Sequence, residues 1–273
     1  MNDLLAYSTG YGDWEVRFGF AARLAAQLNA RLTGVHICPS PAMPDGLYGV
    51  DQTFAALVES TRAAELTASK AGDDFVAWTR THGLRAAAWQ VAEGSPAFVL
   101  QRLGNRHDLL VLAREAGPAE PTRLGQILLH CGMPMLLLPP NWQAAPAFDS
   151  IALAWNGTVE ALRAIHAAQP LLRRAKRIVI LRGEMREAYG EIGWLPPFNL
   201  TDYLAYHGLT AEVQGIAESG NAAGAALLEA AHLQRANLLV MGGYGRSRFS
   251  EWILGGATRH MLTEANLPVL LRH

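Results

Sequence analysis

Asp108-Leu-Leu-Val-Leu112 recurs about half a chain later as Asn237-Leu-Leu-Val-Met241. Each copy is followed by a second apolar run that begins at a proline, Pro134-Met-Leu-Leu-Leu138 in the first half and Pro268-Val-Leu-Leu271 in the second. A recurrence at this spacing indicates two copies of one domain, whose sequences can be compared for what each has kept or lost.

Apolar strand-like runs alternate with helical patterns in both halves, which indicates parallel sheets covered on both faces. The predicted strands are Leu4–Ser8, Arg31–Ile37, Ala86–Val91, Leu109–Leu112, Met135–Leu138, Ile151–Trp155, Ile178–Leu181, Glu212–Ile216, Leu238–Met241 and Val269–Leu271. The predicted helices are Trp14–Asn29, Thr53–His82, Pro96–Arg106 with Ser95 as its N-cap, Leu124–His130, Val159–Arg173, Leu200–His207, Ala222–Gln234 and Ala257–Glu264. We therefore predict an α/β fold of two tandem doubly wound, Rossmann-like units, each a five-stranded parallel sheet. The units are expected at residues 1–140 and 147–273, joined by a proline-rich linker.

Composition excludes several classes of function. The chain has 273 residues, a formal net charge of −1 and 50% hydrophobic residues, so it gives no electrostatic case for binding nucleic acid. We find no apolar run near the roughly 18 residues of a membrane span and no secretory leader, and we expect a cytoplasmic protein with no membrane association. Cys38 and Cys131 form no metal-ligand spacing and no disulfide framework.

The loop that follows the repeated strand differs between the halves. After Met241 the chain reads Gly242-Gly243-Tyr244-Gly245, and Gly255-Gly256-Ala257-Thr258 comes before a predicted helix. Glycine lets backbone N–H groups approach a ligand closely, and a helix N-terminus favours an anion. Arg246 and the Thr258 hydroxyl add a positive charge and a donor. The first half has Ala113-Arg-Glu-Ala116 at this place and is five residues shorter before its proline, so one copy has kept a candidate phosphate loop and the other has lost it.

Simpler explanations of the glycines remain open. Glycines after a strand can serve a turn alone, and a glycine pair before a helix can serve close packing. The loop is not a Walker P-loop, since no Gly-Lys-Ser/Thr follows, and it lacks the third glycine of the dinucleotide fingerprint.

The spacing Gly-x2-Gly-x9-Gly, here Gly242, Gly245 and Gly255, resembles the nucleotide-binding signature of the universal stress protein (UspA-like) family. The resemblance covers the whole chain as a tandem pair of domains, with the motif itself in the second half. It implies two units packed as an intramolecular pseudo-dimer, with an adenine nucleotide (ATP, with or without Mg²⁺) bound at the exits of the first and fourth strands of the second unit. Formation of a homodimer is also compatible with it.

Residues are carried over from this resemblance by position. Ala154, Trp155 and Asn156 are expected along the adenosine, Met241, Gly242 and Gly245 at the ribose and phosphates, and Gly255, Gly256 and Ala257 around the phosphates. Two positions depart from the family pattern. Gly256 stands where Ser or Thr is usual, and Asn156 stands where aspartate is usual, so no carboxylate is available to a metal there.

Other signals are weaker. Tyr189, Trp194 and Phe198 suit either a lid over a base or a packed loop, and we favour the packed loop. His260, on the predicted helix after the glycine loop, is expected to pack or cap. We find no catalytic constellation and no metal-ligand spacing, so any enzymatic activity is expected to be at most slow ATP hydrolysis.

Three functions follow from these observations. The first is a stress-response protein that binds ATP in its second half as a regulatory ligand. The second is an interaction scaffold that binds no nucleotide, and the third, least favoured, is an adenine-nucleotide enzyme. The last strands, Met135–Leu138 and Val269–Leu271, are expected to pair with each other or with another chain, because exposed edges seek partners.

Overall fold

Strands and helices alternate along the chain, as the sequence predicts. The computed structural model describes residues 1–41, 51–183, 196–216, 222–244 and 256–273, with only the backbone of residues 51–53. The strands are β1 Asp3–Tyr7, β2 Arg31–Cys38, β3 Ala87–Glu93, β4 Leu109–Ala113, β5 Met135–Leu138, β6 Ser150–Trp155, β7 Arg177–Arg182, β8 Glu212–Gly215, β9 Leu238–Gly242 and β10 Val269–Arg272. The helices are α1 Trp14–Leu28, α2 Asp51–Lys70, α3 Gly72–Thr81, α4 Pro96–Gly104, α5 Glu120–His130, α6 Val159–Leu172, α7 Leu200–Tyr206, α8 Ala223–Leu233 and α9 Gly256–Glu264.

Two compact units make up the chain, and they do not follow the two halves of the sequence. The first unit comprises Met1–Ala113, His130–Met133 and Asn141–Pro146. The second comprises Arg114–Leu129, Pro134–Pro140 and Ala147–His273, so that β5 and nearly all of α5 are part of it. The division of the sequence into domains at residues 1–140 and 147–273 stays a prediction.

The first unit is built on parallel strands in the order β3-β2-β1-β4. An aromatic cluster fills the space between its sheet and the helices α1 and α3. In this cluster Trp14, Phe18, Phe75 and Trp89 pack edge to face or tilted, with ring centroids 5.0–5.9 Å apart. Such geometries suit aromatic rings, whose edges and faces carry opposite partial charges.

The single helix predicted over Thr53–His82 is wrong, because two helices, α2 and α3, cover this stretch. The Trp89 indole Nε1 donates a hydrogen bond of 2.8 Å to the carbonyl of Ala68. This is the carbonyl that the amide of Gly72 would use if the helix continued. Trp89 therefore competes with the helical hydrogen bond at the point where α2 ends.

The second unit carries strands in the order β5-β10-β9-β6-β7-β8, all parallel except β5. Its central strands are continuously apolar and buried, as in parallel strands with both faces covered. The predicted α/β fold with a mostly parallel sheet is confirmed. β5 lies antiparallel beside β10, with Leu137 opposite Val269 and Met135 opposite Leu271. The prediction that the two last strands pair with each other is thus confirmed.

Candidate functional site

The carboxyl ends of β6 and β9 lie side by side in the second unit. β6 pairs in parallel with β9, with Ile151 opposite Leu238 and Leu153 opposite Val240. Because both strands run the same way, the residues after Trp155 and after Gly242 leave the sheet at one edge. Ligands of open α/β sheets bind at this edge, so the structure brings together the two segments that the sequence predicted to form a site.

The last residues of β6 belong to the core. Ala154 and Trp155 are 8% and 7% exposed. The Trp155 ring packs against Phe198, with centroids 5.7 Å apart, and Phe198 also contacts Tyr203. Phe198 thus covers the end of β6, as a packed loop would. Tyr189 and Trp194 lie outside the described residues.

Asn156 is tied to the start of α6 by its side-chain oxygen. Oδ1 accepts hydrogen bonds from the Thr158 amide (3.3 Å) and the Thr158 hydroxyl (2.8 Å). The Thr158 hydroxyl oxygen in turn accepts from the Ala161 amide, which makes Thr158 the N-cap of α6. With Oδ1 accepting twice, the amide nitrogen, a donor, is the part of Asn156 that remains for a ligand.

Gly242 stands where β9 touches the first turn of α6. A Cβ added to it would lie 2.5 Å from the Ala161 nitrogen and 2.6 Å from the Glu160 carbonyl carbon. Because backbone atoms cannot move aside easily, the close packing of β9 against α6 is enough to require a glycine here, with or without a ligand. Met241, which precedes it, is 5% exposed and faces the core.

Gly243 and Tyr244, the first two residues after β9, are hydrogen-bonded to neighbouring elements. The Gly243 amide donates to the Arg272 carbonyl (2.8 Å), and the Tyr244 amide donates to the Thr258 hydroxyl (3.3 Å). His273 Nδ1 lies 3.1 Å from the carbonyl oxygens of Gly243 and Tyr244. Tyr244 has a left-handed φ of 53°, and burial raises the pKa of its hydroxyl well above the ordinary value. These hydrogen bonds set the position of the backbone directly after β9.

The start of α9 lies beside this turn. Gly256 and Ala257 are half-buried, and Thr258 is buried at 4% exposure. The Thr258 side chain accepts from Tyr244, so it holds the two ends of the glycine loop together. α8 approaches α9 closely at His260, since a Cβ on Gly224 of α8 would lie 2.5 Å from the His260 Cβ.

Three of the predicted site residues, Gly245, Arg246 and Gly255, lie outside the described residues. The others are brought to one edge of the second unit, namely Ala154, Trp155, Asn156, Met241, Gly242, Gly256, Ala257 and Thr258. Sequence reasoning missed the roles of Thr158 and His273. Thr158 has a detectable signal, because threonine directly before a helical pattern is a typical N-cap. His273 has none, because its contacts depend on the pairing of β10 with β9.

In the first half, the loop that follows β4 is hydrogen-bonded to a carboxylate, the side chain of Glu120. The Arg114 amide donates to the Leu138 carbonyl (2.9 Å), and the Glu115 amide donates to Glu120 Oε1 (2.9 Å). Glu120 is 7% exposed, and Arg123 donates to both of its oxygens at 2.7 and 2.8 Å. The chain's own anion therefore lies at the start of α5.

Two features are absent from the described ranges. There, no group of three or more His, Cys, Asp or Glu side chains is arranged to hold a metal ion. Among the helices of those same ranges, none combines the length and the apolar character needed to cross a membrane.

The tandem α/β architecture is shared with solved structures. A universal stress protein from Archaeoglobus fulgidus DSM 4304 matches with a TM-score of 0.68 at 12% identity, over 99% of this chain and 98% of that one. A putative universal stress protein from Pseudomonas aeruginosa UCBPP-PA14 matches with a TM-score of 0.59 at 14% identity, over 99% and 92%. The cytoplasmic domain of a prokaryotic cation chloride cotransporter matches with a TM-score of 0.52 at 13% identity, over 99% and 94%. These likenesses define the class of fold.

Residues 145–273 match the sequence model of the Universal stress protein family. The second half of the chain therefore carries a universal stress protein domain, and the alignment of the chain along whole structures supports the tandem arrangement. A search of the curated proteins finds no match.

Proposed function

We propose that the second unit binds an adenine nucleotide, ATP, at the edge where β6 and β9 end. The observation that carries this proposal is that β6 and β9 end side by side and that Thr258, in the first turn of α9, accepts a hydrogen bond from the Tyr244 amide directly after β9. A helix N-terminus offers unpaired amides and a partial positive charge, which suits a phosphate.

Each part of the site has an expected role. Ala154, Trp155 and Asn156 line the adenosine, and Met241, Gly242 and Gly245 contact the ribose and phosphates. The phosphates are held by the backbone of Gly255, Gly256 and Ala257, with charge from Arg246. Because Asn156 carries no charge, a magnesium ion would enter on the phosphate oxygens rather than on a protein carboxylate.

The bound nucleotide is proposed to act as a regulatory ligand in a cytoplasmic stress response. A ligand shifts a protein between two conformations or assembly states only if it binds one of them more tightly. An intramolecular pseudo-dimer or a homodimer would supply such states. Hydrolysis, where it occurs, is expected to be slow.

A second candidate, an interaction scaffold without nucleotide, is favoured by one specific observation. Gly242 and Gly243 are both explained by packing, since a Cβ on either would overlap a neighbouring helix. The first glycine of the motif, Gly242, is therefore needed by the fold whether or not a ligand binds.

A calorimetric titration of nucleotide-stripped protein with ATP, with and without Mg²⁺ and with GTP as the control, separates the two candidates. The proposal predicts saturable binding of ATP and none of GTP. Absence of heat, together with absence of thermal stabilisation at millimolar ATP, would reject the nucleotide site and leave the scaffold.

A further inference from the structure

We propose that α5, a helix of the first half of the sequence, positions the turn at Gly243 and Tyr244, directly after β9, through Leu128. This inference rests on the proposed function, because it concerns the same loop. It gives the half that lacks the glycine motif a part in the site that has kept it.

The contact lies at Gly243. Gly242, the last residue of β9, faces the first turn of α6. Gly243 faces the other way, where a Cβ would lie 2.7 Å from Leu128 Cδ2. All three of the nearest atoms to that Cβ belong to the Leu128 side chain, which is 2% exposed. Leu128 thus fills the space beside the chain at the start of the loop.

α5 is held in place on this face by contacts of its own. β5 follows it in sequence and is paired with β10, and the Arg114 amide bonds to the last residue of β5, Leu138. Glu120 and Arg123 join the loop before α5 to its first turn. β5 and Glu120–Leu129 are part of the second compact unit. Leu128 is therefore carried by a helix of the same compact unit as Gly243, whose amide bonds to Arg272.

A change at Leu128 can reach the proposed ligand site through the residues that follow Gly243. The residue after Gly243 is Tyr244, whose amide bonds to Thr258 on the first turn of α9. A shift of Gly243 changes the left-handed turn at Tyr244 and, through Thr258, the amides proposed to hold phosphate. Leu128 acts here as a positioning residue and does not itself touch the ligand.

A double-mutant cycle with ATP titration tests the proposal on the full chain. Gly243→Ala places a methyl group against Leu128, and we expect it to weaken ATP binding about tenfold. Adding Leu128→Ala removes the obstructing side chain, so the double variant is expected to bind within about twofold of Leu128→Ala alone. Leu128→Ala alone is expected to weaken ATP binding about threefold, because the turn loses its packing partner, whereas Leu124→Ala is expected to leave it unchanged. Thermal unfolding of each variant without nucleotide is recorded beside the affinity, because a purely structural role would lower stability in both variants and leave ATP binding unchanged.

Two matched controls complete the experiment. Gly242→Ala meets the backbone of α6, so Leu128→Ala is expected to give it no rescue. Leu124→Ala removes a side chain of the same size from the same helix, buried at 0% exposure, and is expected to give Gly243→Ala no rescue. Equal rescue by Leu124→Ala and Leu128→Ala, or by neither, would overturn the proposal.

The proposal can be tested even if the wild-type protein binds no ATP. Hydrogen exchange of the Gly243 and Tyr244 amides then reports the same cycle. We expect faster exchange in Gly243→Ala and recovery of protection in the double variant. Unchanged exchange in Gly243→Ala would reject the positioning role, while absence of ATP binding alone would reject only the nucleotide proposal.

Discussion

The loops that follow β4 and β9 begin in the same way and then diverge. In each, the first amide after the strand bonds to the end of the next strand, Arg114 to Leu138 at 2.9 Å and Gly243 to Arg272 at 2.8 Å. In each, the following amide bonds to a side chain at the start of the next helix. That side chain is the Glu120 carboxylate in the first loop and the Thr258 hydroxyl in the second.

The two acceptors differ in charge, and this difference makes the two loops unequal as binding sites for an anion. Glu120 brings a negative charge to the first turn of α5, and Arg123 pairs with it. A phosphate arriving there would meet a carboxylate that already accepts from the Glu115 amide and from Arg123. Thr258 is neutral, so the positive end of α9 is left without a carboxylate from its own first turn. In the first loop the Glu115 amide already bonds to a carboxylate of the chain itself. The second loop leads to a helix start without such a carboxylate, which is suited to an anion from solution.

Removing the internal anion is expected to have the largest effect on stability. Glu120→Ala removes a buried carboxylate to which Arg123 and the Glu115 amide donate, and breaking such a pair costs about 3 kcal/mol of unfolding free energy. Urea unfolding measures this loss. Thr258→Ala, the matched change in the other loop, is expected to cost clearly less. Equal losses in the two variants would contradict the distinction drawn between the loops.

A smaller effect is expected at the last residue of each strand. Gly242→Ala forces a methyl group against the backbone of α6 and is expected to destabilise the protein by about 2 kcal/mol. Ala113→Gly, the reverse exchange at the end of β4, is expected to cost about 0.5–1 kcal/mol through chain entropy. Thermal unfolding of the two variants decides the matter, and a Gly242→Ala protein as stable as the wild type would show that β9 and α6 can separate there.

A lesser loss is expected when the Thr258 hydroxyl is removed with its shape kept. Thr258→Val leaves the Tyr244 amide without its acceptor and is expected to cost about 1 kcal/mol. Thr258→Ser keeps the hydroxyl and serves as the control. Denaturation midpoints of the two variants give the comparison, and indistinguishable midpoints would mean that this hydrogen bond contributes nothing.

The smallest effect is expected at Asp108 and Asn237, the residues that directly precede the two repeated strands β4 and β9. Burial raises the pKa of the Asp108 carboxyl, but hydrogen bonds from the amides of Asn2 and Asp3 outweigh it and leave the pKa below the ordinary value. Asn237 makes the same kind of bond to the Ser150 amide with an uncharged oxygen. A lowered folded-state pKa stabilises the protein above the unfolded-state pKa of about 3.9, and this stabilisation is lost as pH falls through the folded value.

Asp108→Asn is therefore expected to flatten the loss of stability between neutral pH and about pH 3. Urea unfolding of wild type and variant at both pH values measures the difference. Asn237→Ala is the control, since it removes no titrating group. A variant that loses as much stability in acid as the wild type would show that Asp108 does not contribute to acid sensitivity.

The sequence predicted what depends on local pattern. The repeat around Leu109–Leu112 and Leu238–Met241 indicated the two copies, and the continuous apolar runs indicated parallel strands. What it missed depends on distant side chains. Trp89 ends α2 by bonding to Ala68, and Leu128 reaches Gly243, although neither contact has a signal in the spacing of residues. Assignment of α5 and β5 to the second compact unit follows from the pairing of β5 with β10, which the sequence left open between this chain and another.

The central claim is that the loop after β9 binds nucleotide and the loop after β4 does not. The most direct test titrates ATP into two full-length variants, Gly245→Val and Ala116→Val, which place the same side chain at corresponding positions. We predict that Gly245→Val abolishes binding while the protein stays folded by circular dichroism, and that Ala116→Val binds one ATP per chain like the wild type. Loss of ATP from Ala116→Val alone would contradict the assignment of the site to the second half.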